Sequence, residues 1–312
     1  MKKRMDRLNR VFVCAWTVLI FVNISSAGER PGFAFLNSEL SARGAALSGA
    51  MVAKRAEIHG LFHNPASIAG IGDLAWSANY INHLLDMSGS NVMLAKKFES
   101  GTFGIGLASM DYGSFKRLDD YGNDLGGEFS ADDILLSFGY GYELSSTFST
   151  GINVKWASSN IDQYSANAIA LDIGFTFIQM ERDLSIGGGL FNLGKTTAFI
   201  DTEDPMPTNF RLGMSKKLAH LPLQVNLEGI WLTYGNWKVL ASGELTISPN
   251  FNLLLGLNSN RLDLNTSNLS EDFYSGGTIG FALLFEKWRV DYALSSYGGA
   301  GTLQRFGISN NF

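Results

Sequence analysis

The chain holds a single cysteine in 312 residues, and Cys14 falls in an N-terminal leader rather than in the body of the protein. Lys2, Lys3, Arg4, Arg7 and Arg10 make a positive start, an apolar stretch covers 11–22, and Ser25, Ser26 and Ala27 are small residues of the kind a signal peptidase reads. About a dozen apolar residues are too few for a spanning helix of about 20, so 1–27 reads as a secretory signal cleaved near Ala27 and Gly28. Without it the chain has no thiol, no disulfide and no cysteine metal ligand, and no lipoprotein-type box precedes Cys14. A second lack is of any other long apolar run, which excludes a helical membrane protein. Positive charge is the third lack. Taking the leader's five basic and one acidic residue from 24 and 29 leaves 19 and 28, a net of −9. A chain this acidic offers no basic surface for phosphate, so nucleic acid is not an expected partner.

What is present is alternation. Ile134, Leu136, Phe138, Tyr140 and Tyr142 are interleaved with Asp133, Ser137, Gly139 and Gly141. Phe148, Ile152, Val154 and Trp156 alternate with Ser149, Gly151, Asn153 and Lys155. Ile169, Leu171, Ile173, Phe175 and Phe177 follow the same rule. A period of two gives each strand one apolar face. The pattern predicts fourteen strands near 74–82, 90–98, 102–111, 132–143, 147–157, 167–178, 183–192, 208–217, 222–232, 237–247, 250–258, 276–285, 287–295 and 302–312. Most are near ten residues, the length of a tilted strand crossing an apolar layer.

The predicted connections alternate between short and long, with 233–236 breaking the contrast in size. Outer-membrane barrels have short periplasmic turns, longer outer loops and an even strand number, whereas nothing in a soluble sandwich requires this alternation. Trp76, Phe98, Phe103, Phe148, Trp231, Trp237, Phe285 and Trp288 gather towards strand ends, as an interfacial girdle would. Phe306, Ile308 and the terminal Phe312 resemble the signal read by barrel-assembly machinery, which, with outer-membrane lipid, is then an expected partner. The expectation is an all-β fold: a transmembrane antiparallel β-barrel of about 14 strands over 74–312, multi-pass in a Gram-negative outer membrane. Residues 28–73 lack alternation and are rich in Ala and Gly, which suits a plug inside the barrel. Within them Asn64, Pro65 and Ala66 read as a helix start, Asn64 capping and Pro65 in the first position.

Candidate chemistry is sparse. His59 and His63 have the spacing of a metal pair, but no acid lies between them and ordinary packing is the expectation. His83 with Ser88 or Ser90 would lie in a loop without an oxyanion element. Gly187, Gly188 and Gly189 fall inside a strand, where they would admit a plug or permit a bend. No catalytic, cofactor or metal residue is therefore expected. By alternation Asp133, Lys155, Asp172, Arg211, Glu228, Glu244, Arg289 and Asp291 face the lumen, since a midplane Arg or Lys facing lipid costs roughly 2–4 kcal/mol. Lys155 and Asp172 fall nearly opposite on neighbouring strands and are expected to pair.

Several stretches resemble the PorV/PorQ family, relatives of the FadL-type fatty-acid transport barrels. They run from Ser41 through Arg43, Gly44 and Ala50, then Phe62, His63, Asn64, Pro65 and Ala66, Asp111 through Lys116, and Gly127 through Asp133. Gly151 to Lys155, Ala170 to Gly174, Phe191 to Gly194, Asp291 to Ala293 and Arg305 to Gly307 complete the match. Phe210 to His220 with Leu221, Pro222 and Leu223 is similar to the PorQ side of the family. The resemblance implies a fourteen-strand barrel with an N-terminal hatch. It also implies a non-enzymatic scaffold for type IX secretion proteins or secreted cargo, the loops at 112–131 and 259–275 being the expected anchors. A FadL-like channel for hydrophobic molecules is the alternative, permitted by the inward Leu135, Leu240 and Leu254.

Overall fold

A computed structural model describes residues 31–84, 87–199, 201–234, 237–259, 276–298 and 301–311. The expected signal at 1–27, most of the 259–275 loop and Phe312 lie outside them. Fourteen strands form one closed barrel: β1 Leu74–Asn82, β2 Ser88–Phe98, β3 Gly101–Leu118, β4 Asp124–Ser145, β5 Phe148–Ile161, β6 Tyr164–Gln179 and β7 Leu184–Thr196. The second half continues with β8 Asn209–Lys217, β9 Leu223–Leu232, β10 Trp237–Ser248, β11 Phe251–Asn258, β12 Gly277–Phe285, β13 Trp288–Ser296 and β14 Thr302–Asn311. Every neighbour is antiparallel, and β1 closes the ring on β14 from Ala75 opposite Asn311 to Asn82 opposite Gln304. Among the described residues no strand edge is left over, which is the condition for strands to sit in hydrocarbon.

Alternation sets which face meets what. On β3, Phe103, Ile105 and Leu107 are exposed while Thr102, Gly104, Gly106 and Ala108 are covered. On β5 the outward residues are Ile152, Val154 and Trp156, and the inward ones Ser149, Asn153 and Lys155. The molecule thus wears its large apolar side chains outside and hides polar ones within, the reverse of a soluble domain. No helix among the described residues is long and apolar enough to cross a membrane.

The tight connections at 99–100, 146–147, 249–250 and 286–287 lie at the end where β1 begins and β14 finishes. Aromatic pairs ring that end. Trp76 meets Trp288 edge-on at 5.4 Å, Phe98 meets Phe103 at 5.7 Å, and Phe103 meets Tyr140 at 4.9 Å.

Two predicted loops are sheet instead. Residues 112–131 form a ribbon in which β3 runs on to Leu118 and β4 starts at Asp124, with Phe115 opposite Phe129. The alternation was hidden by a register shift between Asp111 and Ser114, where Gly113 takes φ 81°. Likewise β5 and β6 run to Ile161 and from Tyr164, leaving a tight turn with Asp162 at φ 57° where a loop over 158–166 was expected.

The segment before β1 lies inside the barrel as a plug. Short helical turns at Ala42–Ala46, Gly60–His63 and Pro65–Gly70 are almost wholly buried, and the turn Ala34–Asn37 buries Phe35 and Leu36. Leu61, Ile68 and Ile71 pack on Ala75, Met93 and Ala95 of β1 and β2, while Ala45, Leu47 and Met51 pack on Leu254, Ala282 and Ala293 across the lumen.

Candidate functional site

The lumen is the site, and its geometry begins with how the plug is seated. The wall facing the 3₁₀ turn Pro65–Gly70 carries inward glycines. A β-carbon on Gly151 would stand 2.4 Å from the Pro65 carbonyl carbon, one on Gly141 2.7 Å from the Ala69 nitrogen, and one on Gly174 2.0 Å from Asn64 Oδ1. Gly187 repeats this against the Val52 carbonyl at 2.2 Å, so the first glycine of the 187–189 run makes room for the plug. Asn64 caps the turn, accepting from the Ala66 N–H at 3.1 Å. Its amide donates to the carbonyls of Val52 at 2.6 Å and Phe175 at 3.0 Å, tying two plug segments to β6.

Opposite that glycine seat lies a knot of charge. Glu244 on β10 accepts a two-pronged bond from Arg43 at 3.0 and 3.1 Å, one from Lys54 at 3.1 Å and one from Arg289 of β13 at 3.2 Å. Arg289 also holds Asp291 at 2.9 Å, and Arg43 Nε donates to Glu57 at 2.6 Å. The cations come from plug and wall alike, so the knot fastens one to the other. Burial, with Arg43 alongside, pushes the Lys54 ammonium down to about 8. Burial opposes ionisation of Glu57, yet Arg43 and His59 prevail and hold it well below the carboxylate range. His59 accepts or donates between Glu57 at 2.7 Å and Ser77 at 3.0 Å, whereas His63 faces Glu39 at 3.4 Å and burial lowers its pKa. The two histidines therefore turn to different partners.

A second polar layer sits in the wall. Lys155 meets Asp172 at 2.6 Å and Asn192 at 2.9 Å. The register sets Asp172 opposite Asn153, so the expected cross-strand contact with Lys155 is made on the diagonal. Asn192, at φ 56°, forms the bulge in β7 whose N–H Asp172 accepts at 2.8 Å. Glu228 accepts the Val52 N–H at 2.9 Å and stands 3.9 Å from Arg211, while Asp133 accepts from the Tyr112 hydroxyl at 2.5 Å. Phe306 and Ile308 lie exposed on the outer face of β14.

Nearer the loop end, the wall from β3 to β6 is apolar within. Met110, Leu135, Ala157, Ala166 and Ala168 face inward there, and Phe33, Phe35, Leu36 and Leu40 of the plug fill the space, with Phe62, Tyr112 and Phe199 alongside. Beside it lies a cavity of about 270 Å³ bounded by Glu39, Ser48, His83, Arg211 and Arg305. A second, of about 330 Å³, opens at the short-turn end between Arg43, Glu57, Ala75, Trp288 and Ser309. Plug residues line both, so the plug stands between them.

Sequence reasoning placed the wall charges inward but missed their plug partners. Arg43 and Glu244 are 201 positions apart, and Arg43, Lys54 and Glu57 sit in a segment without periodicity. The only signal was that Arg43 and Glu57 are charged within a stretch otherwise read as packing material.

No protein-family model matches the chain, and no curated protein does. Solved structures do. The Ralstonia pickettii toluene transporter TbuX superposes with TM-score 0.57 at 12% identity, over 87% of this chain and 98% of that one. The monoaromatic hydrocarbon channel CymD gives 0.56 at 10% identity, over 88% and 97%. A Pseudomonas aeruginosa FadL homologue gives 0.54 at 11% identity, over 86% and 97%. On strand number, outward apolar belt and fold together, the chain is an integral outer-membrane β-barrel with an N-terminal plug, sharing the architecture of the FadL-type transporters.

Proposed function

We propose that the protein is a channel for small hydrophobic molecules, held shut by its plug in this conformation. The observation that carries this reading is the apolar inner wall of Met110, Leu135, Ala157, Ala166 and Ala168. A barrel built to pass water-soluble solutes lines its lumen with polar groups. Here the loop-end part of the wall from β3 to β6 offers an oily surface, and Phe33, Phe35 and Leu36 occupy it as a solute would. The likeness to TbuX and CymD adds toluene-sized aromatic hydrocarbons as the first compounds to try. Transport needs the plug to yield, and the Glu244 knot is what resists.

Uptake of radiolabelled toluene by cells with and without the protein tests this. Expression should raise the rate, and Leu135→Asp should return it to background while the barrel still assembles. Equal uptake with and without the protein would refute the reading.

The scaffold implied by the PorV/PorQ resemblance is the second reading, and the ribbon at 112–131 favours it. It projects past β2 and β5 with Tyr121 92% exposed and Leu125 66% exposed. Type IX secretion proteins or their cargo would hold to that ribbon. Deleting its outer part, 114–130, should release such a partner from the cell surface and leave hydrocarbon uptake unchanged.

A further inference from the structure

One group of plug and wall residues meets the charge knot only through Glu57, which Arg43 holds. His59 Nδ1 lies 2.7 Å from Glu57 Oε1, and its Nε2 lies 3.0 Å from Ser77 Oγ on β1. A carboxylate on Nδ1 fixes the tautomer that leaves Nε2 to take a hydroxyl proton, the order of groups used in acyl transfer. Glu57 is itself held by Arg43 Nε at 2.6 Å.

A fourth residue completes the set. Asn79, on the same inward face of β1, donates from Nδ2 to Ser77 Oγ at 3.0 Å. Its Oδ1 accepts the Ala42 N–H at 3.1 Å, which fixes the amide so that its nitrogen faces the serine. An N–H already touching the nucleophile's oxygen is placed to donate to an oxyanion formed beside it. The cavity at the short-turn end stops against this group. Glu57 lines it, as do Ala75, two residues before Ser77 on the same face, and Ser309, the register partner of Ser77 on β14. Ile58, between Glu57 and His59, also lines it and belongs to the plug.

We propose that Ser77, His59 and Glu57 are an acyl-transfer site for carboxylic esters entering the short-turn mouth, reached when the Ile58 side chain swings aside while His59 and Glu57 keep their places. Ser77 Oγ bonds to the ester carbonyl carbon as its proton passes to His59 Nε2. The carbon–alkoxy bond then breaks and the alkoxide leaves with that proton. Water repeats the sequence on the acyl-serine, releasing the carboxylic acid and restoring the hydroxyl. Glu57 is a positioning residue that orients the imidazole and stabilises its charged form. This site does not depend on the channel reading.

The test is a fluorophosphonate probe on the full chain in detergent micelles, native and with Ile58→Ala to widen the mouth, followed by peptide mapping. A phosphonyl adduct should appear on Ser77, and Ser77→Ala should lack it. His59→Asn should slow its formation on the order of 10²-fold, the contribution of a general base. Glu57→Gln should slow it too, and Glu57→Asp should restore most of the rate, a rescue that reports the carboxylate on the imidazole. Absence of an adduct on Ser77 of the unsubstituted chain, or an unchanged rate in His59→Asn, would overturn the proposal. Mapping on the unsubstituted chain decides the matter even if a variant fails to fold.

Discussion

Replacing Glu244 by alanine removes the common acceptor of Arg43, Lys54 and Arg289. Arg43 keeps Glu57 and Arg289 keeps Asp291, but Lys54 loses the carboxylate it touches. The side chains concerned are 5 to 17% exposed, so solvent screens little of the loss. Removing one partner from a buried ion pair costs about 3–5 kcal/mol, because the remaining charge is left without compensation. Since Arg43 and Arg289 retain a partner each, the low end applies, about 3 kcal/mol. At 1.36 kcal/mol per tenfold, the docked plug becomes on the order of 10²-fold less favoured over the released one. Limited trypsin digestion in micelles reads this directly, since release bares Lys54 and Arg55. Cleavage there should rise on that scale, planar-bilayer recordings should show more frequent opening, and the barrel should still migrate as a folded species on an unheated gel. Glu244→Gln should fall between, keeping hydrogen bonds without charge. A plug as resistant as the native one in the alanine variant, with the barrel intact, would refute the idea that this knot holds it.

Other expectations follow from the same geometry. Gly151→Ala puts a methyl group within 2.4 Å of plug backbone, so the Pro65–Gly70 turn must lift off; protease sensitivity should rise there while the barrel melts as before. Lys155→Met leaves Asp172 buried without its cation and should cost about 3–5 kcal/mol, seen as a lower barrel melting temperature rather than as plug release. Burial holds the pKa of His63 below the ordinary 6.5, so a released plug takes up a proton that the docked one refuses. Docking is therefore favoured above pH 6.5 and weakens as pH falls through and below it. Conductance should increase on acidification, and His63→Gln should flatten that response.

How much of this was legible beforehand depended on whether each feature repeats. The strands declare themselves because lipid and lumen impose a period of two, and the same period put Lys155, Asp172, Glu228 and Arg289 inside. The ribbon at 112–131 escaped because Gly113 and the register shift break the period just where the wall leaves the membrane. Asn64, Pro65 and Ala66 were visible as a local helix start, since capping is a short-range affair. What that turn rests on was not, because the glycines of β4, β5 and β6 read as neutral filler until the plug stands against them. His59 stood out only for its spacing from His63, and nothing tied it to Glu57 or Ser77. Their meeting depends on how the chain enters β1, which no spacing encodes.

The ring closes between the first strand and the last, and the plug is the stretch of chain immediately before the first. Its contacts reach β4, β5 and β6 on one side and β12, β13 and β14 on the other. Such a segment is tethered at the seam itself, so the joint that closes the wall is also the hinge from which the plug hangs.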